Sequence, residues 1–560
     1  MFNFFMGKYH ILLNRVFILF IVLGLGACQP STHQNPHKSI FRYNEASGIV
    51  NLDPAFARDQ AHIWVCNQLY NGLVQLDDSL NVLPCIAKTW EISDDGMTYT
   101  FHLHDDVYFH KSSVFDKGTR KVNAADFVYS FNRLLDPATA SPGAWVFENV
   151  DTACGRHAFF AGNDSTLTIR LKKPFSPFLG ILAMQYCSVI PHEAIEQSGS
   201  GFRKHPVGTG PFFMKNWEEN IKMVLQKNEN YFEKQKGHRL PYLDAVSISF
   251  LVDKMTAFLE FTQDNFDFLS GIDPSYKDEL LTRSGQLREK YKDRFNMISN
   301  PYLNTEYLGI LVDTSLAIVK SSPLRIKAVR QAINYGFDRV KMIRYLRNGI
   351  GIPGTKGMIP KGMPAFDEQA GYGYGYDPEK SRQLLLEAGF DAKHPVPPVT
   401  LVTTSDYLDL CKFIQSQLKD IGITINIEVA PPAAVIERRA QSRINFFRAS
   451  WIADYPDAEN YLSLFYSKNF APNGPNYTHF SNARYDSLYL VSIKETDKQK
   501  RLSDYRRLDS LVMEESPVII LYYDQAVRFV QKNIKSMTGN PINVLNLKTV
   551  RKTNTVRKSR

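Results

Sequence analysis

From about residue 40 onward, apolar positions switch repeatedly between the 3.6-residue period of helices and the two-residue period of strands. Ile63, Cys66 and Leu69 share a helical face and predict a helix that stops before Asn71-Gly72. Asp94-Asp95-Gly96 reads as a turn, and residues 98–103 alternate as a strand. Asn123, with Asp126 three places on, predicts a capped helix running to Leu135, which Asp136-Pro137 ends. Ser322-Pro323 and Asp377-Pro378 each set a cap before a proline at the first helical position, and Gly389 closes the second of these helices. Leu408, Cys411, Ile414 and Leu418 line one face of a helix over 408–421, which Gly422 joins to a strand over 423–427. Helices and strands interleaved in this way predict a mixed α/β or α+β fold.

The start of the chain has a different character. Lys8 and Arg15 precede an uncharged run over 16–25, followed by Gly26, Ala27 and Cys28, as in a secretory signal. Leu25-Gly26-Ala27-Cys28 resembles the lipobox of bacterial lipoproteins, which implies cleavage after residue 27, acylation of Cys28 and an exported protein tethered to a membrane on its periplasmic or cell-surface side. The run is short for a span of about 20 apolar residues, although an uncleaved signal anchor is the alternative. Residues 28–38 are polar with two prolines and read as a flexible linker. What remains of the 560 residues is too long for one hydrophobic core and predicts two or three domains. The formal charge of +9 is concentrated partly at the C-terminus, where residues 548–560 hold six Lys or Arg and no acid; a solvated basic tail over 549–560 is expected. Export argues against nucleic acid as a partner. Besides Cys28 there are five cysteines, Cys66, Cys85, Cys154, Cys187 and Cys411, so not all can pair; Cys154 with Cys187 is the expected disulfide.

Candidate chemistry concentrates in residues 448–457, Arg-Ala-Ser-Trp-Ile-Ala-Asp-Tyr-Pro-Asp, which set a cation and a carboxylate around an apolar, aromatic stretch. If extended, Arg448 and Asp454 leave the same face about 20 Å apart at ~3.3 Å per residue. A short peptide could span them, its carboxylate on Arg448 and its amine on Asp454; the alternative is a pair of ordinary surface charges beside a buried Trp451. Other signals are weaker. His102, His104, His110 and Asp106 share one parity, but Asp105-Asp106 suggests a turn that breaks it, and neither a metal nor any other cofactor is expected. Gly349-Ile-Gly-Ile-Pro-Gly354 matches a dinucleotide pattern only formally, because it follows a helix and contains Pro353; a loop is expected. Tyr372, Tyr374 and Tyr376 alternate with glycines and read as a flexible surface loop, an aromatic ligand wall being the alternative. No H-E-x-x-H, G-x-S-x-G or Walker sequence occurs, so no enzyme is expected.

Three separated stretches share one resemblance. Residues 87–133, from Ala-Lys-Thr-Trp-Glu-Ile-Ser-Asp-Asp-Gly to Asp-Phe-Val-Tyr-Ser-Phe-Asn-Arg, then Pro206-Val-Gly-Thr-Gly-Pro-Phe212, then Trp451 through Asp457, resemble in order the landmarks of the family 5 extracellular solute-binding proteins, the dipeptide, oligopeptide and nickel receptors of ABC importers. An insertion over 111–121 departs from the family pattern. The resemblance implies a periplasmic-binding-protein-like fold of type II, cluster C: two lobes with an extra domain and hinge closure on ligand. Mapped here, domain I takes 39–75, 206–299 and 527–548, domain II 76–205 and domain III 300–526, with glycines such as Gly208 and Gly210 relieving the backbone where the chain crosses. It also implies that Asp454 holds a peptide's amine, that Arg448 can hold its carboxylate, and that Trp451 lines a pocket. Backbone groups of Ser450 and Ile452, and of Gly48, Ile49 and Val50 opposite, would pair with an oligopeptide. The expected partners are an ABC permease and its ATPase subunits, and a monomer is expected. The same fold could instead take a nickel chelate, haem, an opine or a glycan. Readings outside the family are an exported metal-dependent hydrolase and an adhesive lipoprotein.

Overall fold

The first strand, Ile40–Asn44, lands in the interior of a sheet because its parallel neighbours, Ala245–Ser249 and Phe268–Ser270, arrive much later in the chain. This computed structural model describes residues 38–153 and 158–553. The eleven-stranded mixed sheet runs in the order Ile425–Val429, Val399–Thr403, Phe446–Ile452, Phe295–Ile310, Val518–Gln531, Phe268–Ser270, Ile40–Asn44, Ala245–Ser249, Lys222–Lys227 and Phe212–Glu218, with Ile352–Pro353 pairing separately onto Val518–Gln531. Two strands, Phe295–Ile310 and Val518–Gln531, far exceed the usual five or six residues and pair with each other through both halves of the sheet. Their register shifts between Pro301 and Thr305. Pro301 has no N–H to give a ladder, and Tyr302 and Leu303 fall in the resulting irregularity.

A separate four-stranded antiparallel sheet, Ala87–Ile92, Thr98–Leu103, Thr166–Arg170 and Phe159–Asn163, is built from the chain between the first strand and its return. Helix Ala124–Leu135 covers it with buried Phe127 and Phe131. The predicted capping box is present: Asn123 accepts from the Asp126 N–H, and the Asp126 carboxylate accepts from the Asn123 N–H. Removing such a cap costs about 1 kcal/mol. Helices Gln60–Leu69, Pro378–Glu387 and Leu408–Lys419 also form where periodicity and caps place them, and the strand expected over 423–427 runs from Ile425 to Val429. Pro323 opens only a short 3-10 turn before helix Lys327–Tyr335.

Three expectations are corrected. The tyrosine segment is not a loose surface loop: Tyr374 is buried and donates to the Met513 carbonyl at 2.7 Å, and the Tyr372 hydroxyl lies 3.4 Å from Asp509, itself buried beside helix residues of Lys498–Glu515. Glycine spacing here serves close approach, since a Cβ on Gly373 would sit 2.0 Å from the Thr355 carbonyl. Gly208 and Gly210 likewise keep ordinary backbone angles, and a Cβ on either would run into the carbonyls of Leu69 and Gln68 at 2.1 and 2.4 Å. The histidines, by contrast, diverge as the Asp105-Asp106 turn predicts once the strand ends at Leu103: His102 faces Glu91, His104 faces Asp106, and buried His110 accepts from the Gly208 N–H and donates to the Gly210 carbonyl. Burial pushes the His110 imidazole down to about 4, against the pull of the Gly210 carbonyl, so it works as a neutral clip on that loop. Finally, the start of the basic tail is docked, with Lys548 on Glu233 at 2.6 Å and Lys552 on Asp267 at 2.8 Å.

The stretch Gly349 to Gly354 follows helix Arg339–Leu346 as expected, but only its start is a turn, since Ile352–Pro353 inside it is a short strand paired to Tyr522 and Tyr523. Cys187 carries a free buried thiol, as do Cys66, Cys85 and Cys411; its expected partner Cys154 lies outside the described residues, as does Cys28. Among the described residues no helix is long and apolar enough to cross a membrane.

Candidate functional site

The segment singled out by its charges divides in two. Its first part is the strand Phe446–Ile452, paired antiparallel along its whole length with Phe295–Ile310. On its other side, pairing with Val399–Thr403 stops at Phe447. The Ala453 N–H donates to the Leu303 carbonyl at 2.9 Å, so alternation turns the main-chain groups of odd-numbered residues towards the long strand and those of Ser450 and Ile452 away from it. Among the described residues no strand covers that edge. An open edge with spare N–H and C=O groups is what an extended guest needs in order to pair.

Arg448, on this strand, is not a free cation. Its guanidinium pairs with Glu306 of the neighbouring strand and its central carbon lies 3.2 Å from the ring centroid of Tyr407. Both charges are screened from water, Glu306 being 4% exposed. Burial pushes the Glu306 carboxyl up, and Arg448 pulls it back only in part. Asn304 adds a hydrogen bond to Glu306 at 3.2 Å and reaches towards Asp524, which Arg347 pairs at 2.7 Å. A guest carboxylate at Arg448 must therefore displace Glu306.

Asp454 differs in every respect. The strand ends at Ile452, so strict alternation no longer governs where Asp454 points. Asn460, buried within the short helix Glu459–Leu462, organises the corner: its side-chain oxygen accepts from the Trp451 indole at 2.8 Å and from the Asp454 N–H at 3.2 Å, and its amide nitrogen donates to the Asp454 carboxylate at 3.3 Å. Beneath it Glu459 accepts from the hydroxyls of Tyr455 and Tyr489, which fixes the turn. Asp454 has no ion-pair partner among the described residues. Its surface is open to solvent, yet the protein crowding round it raises the carboxyl above its usual value, partly offset by the Asn460 hydrogen bond.

Asp454 opens into a cavity of about 420 Å³, within the ~300–1,000 Å³ of small-molecule sites. Ile452, Ala453 and Pro456 line it from the same segment, Tyr302 and Leu303 from the irregularity of the long strand, and Arg58, Trp145 and Tyr186 from elsewhere. Cavities of about 430 and 470 Å³ lie around Arg283 and Arg325, but neither includes a residue of the 448–457 segment. Of the residues expected to bind ligand, Asp454 and Ile452 line the Asp454 cavity; Arg448, Ser450 and Trp451 do not, and neither do Gly48, Ile49 and Val50. Val50 in particular has no spare main-chain groups, since its N–H donates to His62 at 3.3 Å and its carbonyl accepts from Arg203 at 2.8 Å. Sequence reasoning missed Glu306, Asn460, Arg58 and Tyr186. Asn460 alone carried a local signal, a polar residue six places after Asp454, and nothing near Arg448 announced Glu306.

Similar proteins match nearly the whole molecule. The glutathione-binding protein GsiB of Salmonella paratyphi A (strain ATCC 9150 / SARB42) is 28% identical over 496 residues, 87% of this chain and 90% of that protein, and GsiB of Escherichia coli O157:H7 is 27% identical over the same span. Among solved structures, the unliganded open form of the periplasmic murein tripeptide binding protein MppA superposes with a TM-score of 0.79 at 22% identity, covering 92% of this chain and 98% of that one. The Helicobacter pylori periplasmic binding protein DppA in complex with the peptide STSA gives 0.69 at 24%, with the same coverage. At these identities the structural likeness speaks for the periplasmic-binding-protein fold. The family model described as "Bacterial extracellular solute-binding proteins, family 5 Middle" matches residues 81–473, and the chain belongs to that family.

Proposed function

We propose that the chain captures short peptides outside the cytoplasmic membrane and delivers them to the permease and ATPase subunits of an ABC importer. Membership of the family makes it a solute-binding receptor of such an importer; the peptide is our reading. The observation that carries it is the open edge at Ser450 and Ile452 running into an unpaired Asp454 at the mouth of a cavity. A peptide's ammonium group on Asp454 would contribute roughly 1.5–3 kcal/mol once water is excluded, and main-chain pairing along the edge would add affinity without reading side chains. The names of related proteins point the same way: GsiB is a glutathione-binding protein, glutathione being a tripeptide, and DppA was solved with a tetrapeptide.

In this reading domain I (39–75, 206–299, 527–548) and domain III (300–526) close by bending the two long strands Phe295–Ile310 and Val518–Gln531 near their register shift, with domain II (76–205) as the third body. The receptor is tethered through acylated Cys28 and acts as a monomer. Mass spectrometry of small molecules released from natively purified protein, followed by calorimetric titration with trialanine and glutathione, tests the proposal. Recovered peptides, or binding of either probe, support it; a non-peptide ligand together with no binding of either probe refutes it.

A further inference from the structure

With Arg448 held by Glu306, the cation that lines the same cavity as Asp454 is Arg58. Its backbone is firmly mounted. Asp53 caps the turn Pro54–Phe56 by accepting from the Ala55 N–H at 3.0 Å, Arg133 grips the Asp53 carboxylate at 2.5 and 3.1 Å, and the Ser141 hydroxyl donates to the Ala55 carbonyl at 2.5 Å. The Arg58 N–H then donates to the Phe56 carbonyl at 2.8 Å. Its neighbour Asp59 is committed elsewhere, capping helix Gln60–Leu69 through the His62 N–H and meeting the His62 ring at 2.6 Å. Among the described residues the Arg58 guanidinium has no ion-pair partner. Tyr186 lines the same cavity, and its hydroxyl feels both charges: burial pushes it up to about 12, Asp454 adds to the rise and Arg58 opposes it. Two opposite charges lining one cavity, each without an ion-pair partner among the described residues, suit the two ends of a zwitterion.

We infer that Arg58 receives a carboxylate of the ligand, so that the receptor selects zwitterions whose amine and carboxylate both fit within the Asp454 cavity. This rests on the peptide reading, with the amine on Asp454. The planar guanidinium offers a carboxylate two parallel N–H donors, whereas a C-terminal amide presents one acceptor and no charge.

Dialanine and trialanine, each as the free acid and as the C-terminal amide, are titrated by calorimetry into the full chain and into Arg58→Gln. Because Arg58 is exposed and makes no side-chain ion pair among the described residues, the variant should keep the thermal midpoint of the parent. The expected result is a preference for the free acid of at least one of the two peptides by about tenfold or more in the parent, lost in Arg58→Gln while affinity for the amides is unchanged. A preference that survives in Arg58→Gln, or amides that bind the parent as tightly as acids, overturns the role of Arg58 and leaves the peptide reading standing. Failure of all four probes to bind the parent overturns the role of Arg58, and the peptide reading falls with it when glutathione also fails to bind and the ligand released from the native protein is not a peptide.

Discussion

Arg448 and Asp454 stand six residues apart on one segment, yet Arg448 meets a buried glutamate and a tyrosine ring while Asp454 meets one asparagine and a cavity. The difference arises from the neighbouring strand. Register pairs Leu308 with Arg448 and Ser450 with Glu306, so Glu306 lies diagonally next to Arg448 and neutralises it. Beyond Ile452 the register ends, with one last bond from the Ala453 N–H to the Leu303 carbonyl, and among the described residues Asp454 has no ion-pair partner. Charge type in the sequence thus says little about availability; the partner across the sheet decides it.

The largest effect separating the two ends is on stability. Arg448→Ala strands a buried Glu306 without its counter-charge and should cost about 3–5 kcal/mol in urea unfolding, because breaking one side of a buried pair leaves the other uncompensated. Changing both partners, Arg448→Met with Glu306→Gln, should recover most of that loss. Should Arg448→Ala unfold like the parent, the pair is not structural and the contrast with Asp454 collapses.

Asn460→Ala comes next. It leaves the Trp451 indole and the Asp454 N–H without their acceptor, so about 1–3 kcal/mol of stability should go. Peptide affinity should fall too, since Asp454 loses its positioning contact, but by less than when the carboxylate itself is removed. An unchanged affinity would mean that the corner holds its shape without Asn460.

How much of this was readable beforehand follows the range of the interactions involved. The Asn123 capping box, the Asp377-Pro378 helix start and the strand over Thr98–Leu103 are set by residues within a few positions of each other, and they formed as expected. The expectation that Asp454 binds ligand rests on a short motif and its resemblance to a family. Glu306, by contrast, is 142 residues from Arg448 and reaches it only through strand pairing, and Arg58 reaches the cavity of Asp454 only through the tertiary fold. Tyr374 departs from expectation for the same reason: a Gly-Tyr alternation has the local character of a loose loop, and its hydrogen bonds come from distant Met513 and Ser516.

The smallest effect is on pH dependence. Crowding raises the Asp454 carboxyl, so affinity for an ammonium group, full when the carboxylate is ionised, should weaken as pH falls through that raised value, earlier than the ~3.9 of an ordinary aspartate. Stability of the empty protein has the opposite sign: the folded state holds this proton more tightly than the unfolded one, so Asp454 stabilises less as pH rises through the same window. Calorimetric titrations between pH 7 and 4 read the first effect, and Asp454→Asn should remove it.

Trialanine and N-acetyl-trialanine, titrated into the parent and into Asp454→Asn, test the recognition of a ligand amine most directly. Acetylation should weaken binding to the parent by about tenfold or more and make little difference to Asp454→Asn, which should still unfold cooperatively. Equal affinity of the parent for both peptides, or an acetylation penalty that persists in Asp454→Asn, would contradict that recognition.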